Sequence, residues 1–172
     1  NSNIITKHTL KPNFSWACEN IDDIKKKYNL EKYILLFPFC SIDLPHKKWP
    51  YYNDLILLIK KNHPEFELVV APSPSEINES KKINARVILK DNKALTVTQL
   101  ASLIDKAQFI ISNDTGPAHM AAHLGAKGVT LFGYHTTPKK VSIETNKFKA
   151  IIKNNLNELS AEEVYSNITK EL

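Results

Sequence analysis

Phe109-Ile110-Ile111-Ser112 runs into Asn113-Asp114-Thr115-Gly116-Pro117-Ala118-His119 and then into Met120-Ala121-Ala122-His123-Leu124-Gly125. The first four residues form an apolar run of the length and kind found in strands buried on both faces. From Gly116 to Leu124 the residues are mostly small and read as a helix. Pro117 suits its first turn, where no backbone donor is lost. A short apolar strand, a glycine-bearing turn and a helix able to pack tightly on a sheet together point to an α/β domain.

The same alternation extends in both directions. Downstream, Val129 to Phe132 is strand-like, a last strand runs from Ala150 to Ile152, and Ser160 caps a closing helix through Lys170. Upstream, Thr98 to Lys106 reads as a helix capped by Thr96 or Thr98, after a strand from Arg86 to Leu89. Ser75 to Lys82 reads as a short polar helix. Glu67 to Ala71 and Tyr33 to Phe37 are apolar strands, and the amphipathic stretch from Pro50 to Pro64 between them is a helix. Ile21 to Tyr28 is the first helix. Strands separated by single helices require crossover connections, so the expected fold is α/β: a Rossmann-like parallel sheet with helices on both faces. The expected organisation is a linker or arm over 1–20 followed by one domain over 21–172. Residues 134–148 have the least pattern inside the domain.

Composition narrows the function. The 172 residues are 42% hydrophobic and 24% charged, which suits one globular domain. The net charge of +5 comes from lysines spread along the chain, and Arg86 is the sole arginine. That argues against reading nucleic-acid bases, for which Arg is the favoured side chain, and no nucleic-acid partner is expected. The charge has two readings, a soluble basic surface and a peripheral contact with an anionic membrane. Cys18 and Cys40 form neither a disulfide framework nor a zinc set, which fits a reducing cytoplasm. No apolar run is long enough to span a bilayer, and no signal-peptide pattern is present.

In an open parallel sheet, ligands bind beyond the carboxyl ends of the strands. Asp114 to His119 lies there. Its helix offers free N–H groups and a partial positive charge in the first turn, Thr115 adds a hydroxyl, and Gly116 permits close backbone approach, so a diphosphate could be held without a metal. Ordinary N-capping accounts for Asp, Thr and Gly at a helix start as well, and His119 alone is more often a surface or core residue. Ser41 and the pair Lys47-Lys48 follow the first strand and could hold phosphate oxygens; a solvated loop is the plainer reading. Glu76 follows the next strand and could accept ribose hydroxyls or simply sit in a helix's first turn. Neither a GxGxxG pattern nor a Walker-type phosphate loop is present, so no dinucleotide redox cofactor is expected.

Taken in order, Pro38 to Ser41, Lys47 to Trp49-Pro50, Glu76, Asp114 to His119 and Leu131-Phe132-Gly133 resemble glycosyltransferase family 9, the ADP-heptose:lipopolysaccharide heptosyltransferases. That family carries a Pro-Gly-x-Ser loop, a Lys or Arg near Trp-Pro, a Glu after the next strand, the Asp-Thr-Gly-x-x-His signature and a Leu-Phe/Tyr-Gly strand end. The resemblance runs from about Tyr33 to the C-terminus. It implies the C-terminal, donor-binding half of a two-domain GT-B enzyme that is inverting and metal-independent. The implied reaction transfers heptose or a related sugar from an ADP-sugar, a substrate rather than a cofactor, to a lipid-linked lipopolysaccharide-core acceptor at the cytoplasmic face of the bacterial inner membrane.

By that resemblance Lys47 (or Lys48) and Ser41 hold phosphate oxygens, and Thr115, Gly116 and Pro117 at the helix start neutralise the rest. Glu76 holds ribose hydroxyls, Asp114 holds sugar hydroxyls, and His119 orients the loop or touches phosphate. The base and the acceptor site belong to the family's N-terminal domain, which is expected to be absent, leaving this chain inactive alone. Phe39 stands where the family has Gly, and Lys127-Gly128 where Pro-x is common. The competing readings are a non-catalytic nucleotide or nucleotide-sugar binding domain and one half of a GT-B-type epimerase.

Overall fold

The structure, a computed structural model, describes residues 13–41 and 43–172. Six strands form one sheet: β1 (Tyr33–Phe37), β2 (Glu67–Val70), β3 (Arg86–Val87), β4 (Phe109–Asn113), β5 (Gly128–Phe132) and β6 (Phe148–Ile152). Every pairing is parallel, and the order is β3-β2-β1-β4-β5-β6. The chain steps outward from β1 to one edge, then crosses to β4 and steps to the other, so the reversal of direction falls between β1 and β4. In such sheets that is where the crevice opens.

Among the described residues seven α-helices connect the strands or flank them: α1 (Asp22–Tyr28), α2 (Tyr52–Asn62), α3 (Ile77–Ser80), α4 (Val97–Lys106), α5 (Gly116–Leu124), α6 (Pro138–Val141) and α7 (Ala161–Ile168). Alternation along the strands divides the core in two. Leu35, Val69, Ile110 and Phe132 pack with Ile24 of α1, Leu103 and Ile104 of α4 and the alanines of α5. Ile34, Leu36, Ile111 and Leu131 point the other way, against Leu55, Ile56 and Ile59 of α2 and Val164 and Ile168 of α7. Both faces are covered, which is why the strands read as unbroken apolar runs.

Several boundaries differ from the sequence reading for identifiable reasons. The segment expected as one helix over 75–82 divides into a 3-10 turn (Pro74–Glu76) and the single turn of α3. Strand β3 stops early because the Tyr28 hydroxyl both donates to the Leu89 carbonyl and accepts from its N–H. Strand β6 starts two residues earlier than expected because Phe148 is buried and pairs with Gly128. Gly128 opens β5, where an added Cβ would stand 2.4 Å from the Ile110 carbonyl oxygen. Thr96 is the cap of α4, in a reciprocal pair with Gln99.

Of the expected arm, residues 1–12 lie outside the described residues. Residues 13–20 lie against the domain: Phe14 N–H donates to the His123 carbonyl, Ala17 is buried, and Glu19 N–H donates to Ser102 Oγ. Among the described residues no helix is long and apolar enough to cross a membrane.

Candidate functional site

The loops after β1, β2, β4 and β5 meet at the carboxyl edge of the sheet, where a buried charge cluster adjoins an open cleft. Asp114, the residue after β4, is the centre of the cluster, with its side chain 4% exposed. Its Oδ2 accepts from Lys47 Nζ at 2.8 Å and from His135 Nε2 at 2.9 Å, and His119 Nε2 stands 3.5 Å from Oδ1. Burial pushes the Asp114 carboxyl upward, but the bonds from His119, Lys47 and His135 and the charge of Lys47 outweigh it. The carboxyl is held well below the usual carboxylate range. It is therefore ionised, so His135 must carry a proton on Nε2. Its Nδ1 is buried with no partner.

The cluster is assembled by Asn113, which has no exposed surface. Its Nδ2 donates to the Pro38 carbonyl at 2.9 Å, and its Oδ1 accepts from Trp49 N–H at 3.3 Å with the Tyr52 hydroxyl at 3.4 Å. One buried amide thus ties the end of β4 to the loop after β1. Trp49 is anchored on its other side, its indole N–H donating to the Leu159 carbonyl at 2.7 Å. Between these ties a 3-10 turn over Pro45–Lys47 delivers Lys47 to Asp114. Lys48 goes elsewhere and pairs with Glu79 on α3, both side chains being about two-fifths exposed. The adjacent lysines are therefore not equivalent: one is held by a buried carboxylate, the other lines a recess of about 480 Å³ that shares Ser41 and Glu76 with the open cleft beside the cluster.

Beside the cluster lies a cleft of about 380 Å³ whose lining includes Ser41, Glu76, Thr115, Gly116 and Pro117. Its apolar wall includes Phe39, Pro72 and Leu95. Thr115 caps α5 in extended backbone, yet its side chain makes no capping bond, and its Oγ1 is buried without a partner. Ordinary N-capping therefore does not account for Thr115. Gly116 has space around it, since an added Cβ would meet nothing within 4 Å. No protein contact requires glycine there. Behind it Ala118, Ala121 and Ala122 are buried, so small side chains let α5 lie close to the sheet. The capping explanation does apply to Glu76, whose carboxylate accepts from Ser73 N–H at 2.8 Å. Phe39 is buried in the cleft wall.

The sequence-derived residues thus fall into two adjoining groups, Lys47, Asp114 and His119 in the cluster and Ser41, Glu76, Thr115, Gly116 and Pro117 on the cleft, with Lys48 apart. Sequence reasoning missed His135 and the role of Asn113. His135 lies in the loop that carries the least pattern, and a single histidine there gives no signal. Asn113 directly precedes Asp114, and a polar residue closing an apolar strand was the available clue. Among the described residues no group of three or more His, Cys, Asp or Glu is arranged to hold a metal ion.

A family model described as glycosyltransferase family 9 (heptosyltransferase) matches residues 5–170. Among solved structures the chain is similar to Escherichia coli heptosyltransferase WaaC with ADP-2-deoxy-2-fluoro heptose, at 22% identity and a TM-score of 0.69, covering 84% of this chain and 46% of that one. It is also similar to E. coli ADP-heptose lps heptosyltransferase II, at 20% identity and 0.70, covering 87% and 50%. A UDP-GlcNAc 2-epimerase from Methanocaldococcus jannaschii, in complex with UDP-GlcNAc and UDP, shares the fold less closely, at 16% identity and 0.60, covering 93% and 44%. The chain therefore spans about half the length of the solved structures it matches. No curated protein sequence matches.

Proposed function

Because the chain belongs to glycosyltransferase family 9, we propose that it is the donor-binding half of an inverting, metal-independent glycosyltransferase. It takes an ADP-sugar whose sugar is heptose or a close relative. The observation that carries this reading is the unfilled start of α5. Thr115 Oγ1 is buried with no partner, no side chain caps the helix, and the space around Gly116 is open. A buried hydroxyl without a partner is costly unless a ligand supplies one, and an uncapped helix start attracts an anion. The unfilled start of α5 lies on one cleft with Ser41 and Glu76.

In the proposed reaction an acceptor hydroxyl attacks the anomeric carbon. The bond from that carbon to the diphosphate breaks, and its electron pair leaves with ADP. The chemistry requires a base for the hydroxyl proton and positive charge for the leaving diphosphate. This chain supplies the second. Lys47 and the start of α5 stabilise the departing charge, Ser41 and Thr115 add donors, Glu76 accepts ribose hydroxyls and Asp114 accepts sugar hydroxyls. The base and the lipid-linked lipopolysaccharide-core acceptor belong to the partner half of the enzyme, so this half alone binds donor without turning it over. The family match and the higher similarity to heptosyltransferases favour transfer over epimerisation.

Calorimetric titration with ADP and, as control, UDP tests the reading. The expected result is selective binding of ADP, weakened when Lys47 is replaced by Ala. Equal or stronger binding of UDP, or no binding of either nucleotide, would overturn it.

A further inference from the structure

Asp114 has more donors than a carboxylate that only meets a sugar would need. Lys47 and His135 share its Oδ2 at 2.8 and 2.9 Å, and His119 stands 3.5 Å from Oδ1. If the donor's diphosphate draws on Lys47, as the proposed function requires, the three N–H donors of Lys47 are divided between phosphate and Asp114. A buried carboxylate that loses donors is strongly disfavoured, so something must keep Asp114 satisfied and in place while the lysine is engaged.

We infer that His135 does this. It is a positioning residue that holds Asp114 so that Lys47 can be given over to the diphosphate. The inference deepens the donor-site reading and rests on it. Three observations single out His135 among the donors. Its side chain is 7% exposed, against 20% for Lys47 and 33% for His119. Its ring is confined, stacked on Phe132 at 15° and 6.1 Å between centroids, with the His46 ring 5.4 Å away on another side. Gly133 lies beside the ring's Nδ1, where an added Cβ would come within 3.3 Å, so glycine leaves the ring its place.

The unpartnered Nδ1 completes the case. With the proton on Nε2, Nδ1 is a bare acceptor, which is tolerable. His135 therefore serves as a fixed N–H donor to Asp114, whether or not Lys47 is present. Lys47, on a flexible four-carbon stem, is the donor that can move.

The test is the ratio of ADP to AMP affinity, which isolates the second phosphate, measured by calorimetry for the parent, His135→Phe and His135→Gln. Phe keeps the ring and its stacking but removes the donor; Gln keeps a donor at about the same reach. Without His135, Asp114 retains Lys47 more strongly. His135→Phe is therefore expected to lose about tenfold or more in ADP affinity, the weight of one charge-assisted hydrogen bond, with AMP affinity unchanged and melting still cooperative. His135→Gln is expected to restore the ratio. An unchanged ratio in His135→Phe overturns the inference, as does an equal fall for both nucleotides, which marks a structural role. A Gln variant that behaves like the Phe variant also overturns it. Should His135→Phe not fold, His135→Asn removes the donor by shortening the side chain, and the same ratio decides. A parent that binds ADP no better than AMP, or binds neither, defeats the donor-site reading itself.

Discussion

Lys47 and Asp114 stand 67 residues apart in the chain and meet at 2.8 Å between Nζ and Oδ2. The lysine arrives from the loop after β1 and the aspartate from the end of β4, adjacent strands with parallel register. The site is therefore as much a product of strand order as of local sequence, and its electrostatics follow from how little of Asp114 reaches water.

Acid is expected to loosen the site selectively. The Asp114 carboxyl is held below the usual range in the folded chain, so its unfolded form binds a proton more readily. Its contribution to stability is fully present above about pH 4, the ordinary carboxylate value, and is lost as pH falls below that. Thermal melting of the parent and of Asp114→Asn, followed from pH 6 down to pH 2, should show the two converging at the acid end. A gap that stays constant across that range would contradict this.

The two lysines should separate cleanly. Lys47→Ala leaves a buried carboxylate with histidine donors alone and is expected to cost about 1–3 kcal/mol, together with a large loss of ADP affinity. Lys48→Ala removes only an exposed pair with Glu79 and is expected to cost less than about 1 kcal/mol. Denaturant unfolding and ADP titration of both variants measure the difference.

Gly116 and Gly128 make opposite demands. Nothing crowds a Cβ at Gly116, so Gly116→Ala should fold with nearly parental stability yet bind ADP less tightly, because the methyl group enters the cleft. A Cβ at Gly128 would press on the Ile110 carbonyl at 2.4 Å, and Gly128→Ala should lose about 1–3 kcal/mol through forced backbone shifts. If Gly116→Ala binds ADP as the parent does, the diphosphate does not sit at the start of α5.

Cys40 reports on the cleft it lines. Burial pushes its thiol up, and Glu79 and Glu76 add to this against Lys48 and Lys47; burial and Asp105 do the same for Cys18. Both should react slowly with iodoacetamide at pH 7, since the thiolate is the nucleophile. Peptide mapping should find Cys40, and not Cys18, protected by ADP. Equal protection of both, or of neither, would count against the placement of the nucleotide.

Asn113 cannot be exchanged for its isostere. Asn113→Asp would set a carboxylate oxygen against the Pro38 carbonyl, where the amide now donates at 2.9 Å, in a position with no exposed surface. A loss of about 3 kcal/mol or more is expected, read as a lowered unfolding midpoint.

What could be read from residues alone follows physical lines. Tyr33–Phe37 and Gly116–Leu124 have the bounds that periodicity and the flanking Pro38 and Gly125 suggested, because burial on both faces leaves unbroken apolar runs and a left-handed glycine stops a helix. Boundaries set by tertiary partners were not legible. Nothing local tells that the Tyr28 hydroxyl will occupy the peptide groups of Leu89, or that Phe148 rather than Ala150 opens β6. Which of Lys47 and Lys48 meets Asp114 belongs to the same class, since a 3-10 turn and a buried asparagine 64 residues beyond Trp49 position the loop. His135 lay beyond reach because its significance comes wholly from a carboxylate in another loop.

The strand order has a consequence for how the molecule comes into being. Strand β1 pairs with β2 on one side and with β4 on the other, and β4 follows β1 by more than 70 residues of chain. On a ribosome, β1 and β2 can join while the backbone N–H and C=O groups on the second edge of β1 still have no partner strand. Only when the segment through Asn113 has emerged does that edge close, and with it Lys47 first finds its carboxylate. Until then the nascent chain presents an unpaired strand edge, the kind of feature on which chaperones act.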